Sequence, residues 1–126
     1  MISVLDASAL LAYLHQEPGW EAVRKAVGGG YVGAVNWSEV AQKTAHRGLD
    51  VGQVRGLLEE VGLSIVPFTS EQAETTALLW EKTRNNGLSL ADRSCLALAI
   101  VRNATVFTTD RVWAELDLGL DIRVVR

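Results

Sequence analysis

Four carboxylates stand where an acid is either a helix cap or a ligand: Asp6 in MISVLDASALLAYL, Glu39 in NWSEV, Asp92 in LADRSCLALA and Asp110 in FTTDRVWAEL. Taken singly, capping accounts for each, because an acid in the first turn of a helix meets its free N–H groups and gains about 0.3 to 1 kcal/mol. Taken together they allow a different chemistry. Acids gathered in a partly desolvated cleft repel one another unless cations neutralise them. An all-oxygen donor set suits hard ions such as Mg²⁺ or Mn²⁺, and the chain has no Cys/His cluster of the kind zinc prefers. Two such ions about 3.5 to 4 Å apart can activate a water and stabilise the leaving oxygen of a phosphodiester, a route open to nucleases.

Positioning four acids from distant parts of a chain requires a scaffold. Ile2, Val4 and Leu5 form a short apolar strand that ends at Asp6, and Ala9 to Leu14 follow at helical spacing, with Asp6 or Ser8 as the cap. The stretch HQEPGW breaks this helix, and Pro18 starts a second over Trp20 to Val27, which Gly28, Gly29 and Gly30 end. No GxxxxGK[ST] pattern surrounds these glycines, so they read as a connector and not as a phosphate cradle. Tyr31 to Val35 reads as a second strand, with Asn36 capping the next helix and Glu39 completing a capping box.

A helix to His46, another over Val51 to Val61 capped by Asp50, and a strand over Leu63 to Phe68 come next. A long helix from Glu71 to Arg84 stops at Asn85-Asn86-Gly87, and Ser89 opens one so apolar that it must be buried. Thr105 to Thr108 and Ile122 to Val125 supply two more strands, separated by a helical turn over Val112 to Leu116. Strands alternating with helices predict one α/β domain over residues 1–126, with a mainly parallel five-stranded sheet between two helical layers. The ends of strands one, two and four then share an edge, which brings Asp6, Glu39 and Asp110 together. Asp92 joins them only if residues 85 to 90 carry the chain back to that edge.

At 126 residues the chain supports one core, and 48% hydrophobic with 21% charged residues is a globular composition, not a disordered one. No apolar stretch reaches the ~20 residues needed to span a bilayer. Asp6 lies inside the first apolar run and no basic residue precedes it, so the start does not read as a secretory signal; the expectation is a cytoplasmic protein without membrane association. Cys95 is the only cysteine, so no intrachain disulfide forms. The net charge of −3 argues against a nucleic-acid partner only until four acids are set aside for a metal site, which leaves 12 basic residues facing 11 of the 15 acidic ones.

The motifs LDAS, NWSEV, LADRSCLALA and FTTDRVWAEL, in this order and at these intervals, resemble the PIN-domain ribonucleases, most closely the toxin members of bacterial VapBC toxin–antitoxin pairs. The resemblance spans nearly the whole chain and has no departure at the four acidic positions. It implies a PIN-like α/β/α fold and a metal-dependent endoribonuclease in which Asp6, Glu39, Asp92 and Asp110 hold Mg²⁺ or Mn²⁺ and position the attacking water. It also implies supporting roles for the hydroxyls of Ser8 and Thr109, a homodimer, inhibition by a cognate VapB-type antitoxin, and a structured RNA substrate such as transfer or ribosomal RNA.

Other residues have plainer readings. His15 and His46 are too isolated for a metal cluster, and Cys95 reads as packing on the buried helix. Lys43, Arg47, Arg93 and Arg111 read as solvated charges that could also meet phosphates, and Trp37 and Trp113 as core or dimer packing before base stacking. Two rivals remain. One is a PIN-like module that binds RNA or protein without cleaving. The other is a haloacid-dehalogenase-like phosphatase, for which the chain lacks a lysine after Lys82.

Overall fold

A computed structural model describes residues 1–126. Five strands, β1 (Ser3–Leu5), β2 (Tyr31–Gly33), β3 (Ser64–Val66), β4 (Thr105–Thr108) and β5 (Ile122–Val124), form one sheet in the order β3-β2-β1-β4-β5, and every pairing is parallel. The connections are α1 (Ala7–His15), α2 (Trp20–Val27), α3 (Ala34–His46), α4 (Val51–Glu60), α5 (Ser70–Thr83) and α6 (Leu90–Arg102), with 3-10 segments at Arg84–Asn86 and Arg111–Glu115. From the central β1 the chain moves outward to β2 and β3, then returns past β1 to β4 and β5. The order of strands therefore switches between β1 and β4, where a parallel sheet opens a crevice at its carboxyl edge.

Strands of three or four residues hold together through their faces. Along β1, Leu5 packs with Leu10, Val23, Val27 and Leu58 on one side, while Val4 packs with Leu79, Leu96, Leu98 and Trp113 on the other. Each fully buried leucine stabilises the fold by roughly 1.5 to 3 kcal/mol. The two clusters place α1 and α2 against one face of the sheet and α5 and α6 against the other, which gives the three layers. No helix is long and apolar enough to cross a membrane.

The strand expected over Tyr31 to Val35 ends two residues early. The helix begins at Ala34 after an N-cap at Gly33 that has no side-chain bond, so Asn36 lies inside its first turn and the Asn36–Glu39 capping box does not form. The reason is tertiary: the Asn36 amide is engaged with other helices. At the first helix the cap is Asp6, which accepts from the Ala9 amide at 2.8 Å.

Candidate metal-binding active site

Asp6 is the residue after β1, and the pleat points it toward the same face as Val4. Registry pairs Val4 with Val106 and Leu5 with Phe107, which sets Asp6 beside Thr108 at the end of β4. Three groups donate to its carboxylate: Ser8 Oγ at 2.7 Å and the Ala9 N–H at 2.8 Å to Oδ1, and Thr108 Oγ1 at 2.6 Å to Oδ2. Asp6 is only 4% exposed. Burial pushes its pKa up from the ordinary 3.8 to about 6, with a smaller contribution from the negative charge of Asp92, against the lowering effect of those three donors.

Asp50 shows what capping alone requires. It accepts from the Gln53 N–H at 2.9 Å, the same relation as Asp6 to Ala9, and it remains exposed. Asp6 makes the same cap at the cost of desolvating a charge, so capping does not explain its burial.

Asp92 reaches the same edge because α5 and α6 pack along one another through a short connection, residues 84–89. Arg93 Nη1 donates to Thr76 O at 3.1 Å and ties the start of α6 to α5. Asp92 is half-buried and belongs to a capping box, its Oδ2 accepting from the Ser89 N–H at 3.0 Å, while Oδ1 has no protein donor. Asp110 is exposed. It caps the following 3-10 segment by accepting from the Val112 N–H at 3.0 Å, and its own N–H donates to Thr108 Oγ1 at 3.0 Å. Glu39 is exposed on α3 and has no hydrogen-bond or ion-pair partner in the protein.

The structure thus brings Asp6 and Asp92 within electrostatic reach of each other and links Asp110 to Asp6 through the Thr108 hydroxyl. Glu39 shares no hydrogen bond with the other three, and no three His, Cys, Asp or Glu side chains form a ready group for a metal. The donor set nevertheless fits a hard cation. Mg²⁺ commonly keeps several waters and takes one or two carboxylates plus substrate phosphate oxygens. Asp92 and Asp110 each spend one oxygen on folding and keep the other free.

Two residues that position the acids were not identified from the sequence. Beside Ser8, the second hydroxyl that contacts Asp6 belongs to Thr108; Thr109 contributes its backbone N–H to Ser8 Oγ at 3.0 Å instead. Strand alternation is the signal that could have found it, because Val106 and Thr108 share a face. The other residue is Asn36, which is 2% exposed. Of the remaining candidates, Trp113 is fully buried and Trp37 packs on the core. Cys95 is buried, its thiol pushed up by burial and by the charges of Asp6 and Asp92. His46 is exposed, and His15 borders a groove away from the acids.

The bonds of Thr108 have a measurable consequence. Thr108→Val keeps the shape and removes the donor to Asp6 and the acceptor for the Asp110 N–H. Urea unfolding of the metal-free protein at pH 8 is expected to show a loss of about 1.5 to 3 kcal/mol; unchanged stability would mean that the hydroxyl contributes nothing to holding the carboxylate.

The PIN domain family model matches residues 3–118, and the chain belongs to the PIN domain family. Solved structures share its fold at low identity. VapBC2 from Rickettsia felis, bound to a promoter DNA fragment, is 17% identical with 98% of each chain covered and a TM-score of 0.71. A toxin–antitoxin complex from Klebsiella pneumoniae is 16% identical over 98% of each chain, with a TM-score of 0.75. VapC20 from Mycobacterium tuberculosis, described as a sarcin–ricin-loop-cleaving toxin, is 11% identical over 96% of this chain and 98% of its own, with a TM-score of 0.70. No curated protein matches the sequence.

Proposed function

We propose that this protein is a VapC-type toxin, a cytoplasmic endoribonuclease that depends on Mg²⁺ or Mn²⁺ and is restrained by a cognate VapB-type antitoxin. The observation that carries the proposal is Asp6: a desolvated carboxylate, held by three donors and facing Asp92, at the strand-order switch of a PIN fold. Asp6, Asp92 and Asp110 would hold the ion, with Glu39 on α3 as the fourth carboxylate. A bound divalent ion supplies positive charge that lowers the pKa of water and offsets charge building on the phosphate. Ser8, Thr108 and the Ala9 N–H fix the orientation of Asp6. Lys43, Arg47 and Arg111 are exposed cations available to RNA phosphates. In the overall reaction the water oxygen bonds phosphorus as the bond from phosphorus to the leaving ribose oxygen breaks.

Two surfaces support the expected partners. A groove of about 600 Å³, bordered by Leu14, Trp20, Leu49, Leu57 and Val61, suits the apolar face of an antitoxin helix. Leu78 and Trp80 on α5, 78% and 51% exposed, suit packing against a second copy. The solved complexes from Rickettsia felis and Klebsiella pneumoniae give the antitoxin reading its precedent. A structured RNA of the transfer or ribosomal class is the proposed substrate. A phosphatase using Asp6 as nucleophile is disfavoured, because that chemistry calls for a lysine late in the chain and none follows Lys82.

The test is incubation of purified, antitoxin-free protein with structured RNA. Cleavage is expected with Mg²⁺ or Mn²⁺ and none in excess chelator. Binding without cleavage under all metal conditions would instead identify a silent RNA-binding module.

A further inference from the structure

Asn36 occupies the middle of the acidic edge without being an acid. Its Oδ1 accepts from the Ala7 N–H at 3.1 Å, and its Nδ2 donates to Ala91 O at 3.1 Å, with Ser94 Oγ at 3.4 Å. Ser94 Oγ donates to the same Ala91 carbonyl at 2.7 Å. Ala7 directly follows Asp6 and Ala91 directly precedes Asp92, so one carboxamide joins the backbone beside the first acid to the backbone beside the third. Asn36 is itself on α3, three residues and about one turn before Glu39.

We infer that Asn36 is a positioning residue that fixes the spacing of Asp6, Asp92 and Glu39. The inference rests on the metal-dependent nuclease reading of the site. The task needs one donor and one acceptor on a short side chain, pointing at two different helices. Asparagine supplies both, aspartate cannot donate when ionised, and serine is too short to span both partners. Local reasons do not account for the residue. Asn36 does not cap its own helix, and asparagine is a poor helix former. The Ala7 N–H it satisfies is one of the unpaired donors in the first turn of α1, so the bond also sets how α1 leaves Asp6. At 2% exposure Asn36 cannot touch RNA and acts only through the acids.

The experiment titrates Mn²⁺ into RNA-free wild type, Asn36→Ala and Asn36→Ser, reading the thermal unfolding midpoint, and then measures RNA cleavage across the same Mn²⁺ range. Loss of an outer partner of a metal ligand raises the metal requirement by about 10- to 100-fold. That rise is expected in the half-saturating Mn²⁺ concentration of both variants, with KM for RNA unchanged and kcat recovering as Mn²⁺ is increased. Serine keeps a polar partner for one of the two helices and provides a folded variant if alanine does not. Variants that lose thermal stability but keep the wild-type Mn²⁺ midpoint overturn the positioning role alone. A wild type that neither responds to Mn²⁺ nor cleaves RNA overturns the nuclease reading, and this role with it.

Discussion

Asp6→Asn is expected to lower RNA cleavage at least about 100-fold in saturating Mg²⁺, since a bound ion contributes several kcal/mol of charge stabilisation and 1.36 kcal/mol is a factor of ten in rate. The substitution is close to isosteric. Its amide oxygen can still accept from Ser8 and from the Ala9 N–H. Its amide nitrogen replaces Oδ2 and requires the Thr108 hydroxyl to turn from donor to acceptor, so the charge goes and the cap stays. Asp92→Asn should behave alike, because its free Oδ1 is the proposed ligand atom and its capping oxygen can be retained. RNA affinity should change little in either variant. Both variants remaining fully active, or cleavage by wild type persisting in chelator, would sink the metal mechanism.

The same side chain controls stability in the opposite sense. The pKa of Asp6 is raised from 3.8 to about 6 in the folded protein, so the folded state binds this proton more tightly than the unfolded chain does. Its contribution is fully present below about pH 3.8 and is lost as pH rises through about 6. At 1.36 kcal/mol per unit of pKa the loss is about 3 kcal/mol. Metal-free wild type should therefore lose stability between pH 4 and 7 relative to Asp6→Asn, for which this component of the slope is absent. Denaturant unfolding at a series of pH values measures the difference. Mg²⁺ at a hundredfold excess over its dissociation constant should restore roughly 2.7 kcal/mol to wild type and less to the variant. Parallel pH profiles for the two proteins would show that Asp6 is not held in a desolvated state.

The paired results separate a binding site from a structural element. A capping or core residue that is removed costs stability. A ligand residue held ready for a missing cation gives stability back when its charge is removed, while activity falls.

The scaffold was legible in the sequence where local signals and tertiary demands agree. Trp20–Val27, expected from Pro18 and the glycines that follow, is the helix observed, and the Ser89 cap with Asp92 three residues on is present as a full capping box. The parallel sheet followed from the alternation of apolar strands and helices. Three features depended on tertiary structure. Residues 84–89 return the chain to the carboxyl edge through the packing of α6 on α5, which periodicity within either helix does not encode. Asparagine before a helical run reads locally as a cap, whereas two distant helices claim the amide of Asn36. The resemblance points to Thr109 and not Thr108, and adjacent threonines differ only in which face of the strand they occupy. That face is set by the pairing of β4 with β1, more than a hundred residues away in the chain. PIN family membership agrees with the ordered motifs, whose strength lay in their spacing.

The pairing of β1 with β4 also governs when the acidic edge can exist. Asp6 leaves a ribosome 102 positions ahead of its partner Thr108, and β4 is the strand that closes the side of β1 opposite β2. At roughly 5 to 20 residues per second, synthesis must run for on the order of ten seconds after Asp6 before Thr108 and Asp110 can reach its carboxylate. A nascent chain therefore carries an incomplete edge until β4 has emerged, and the order of synthesis itself delays the assembly of the site.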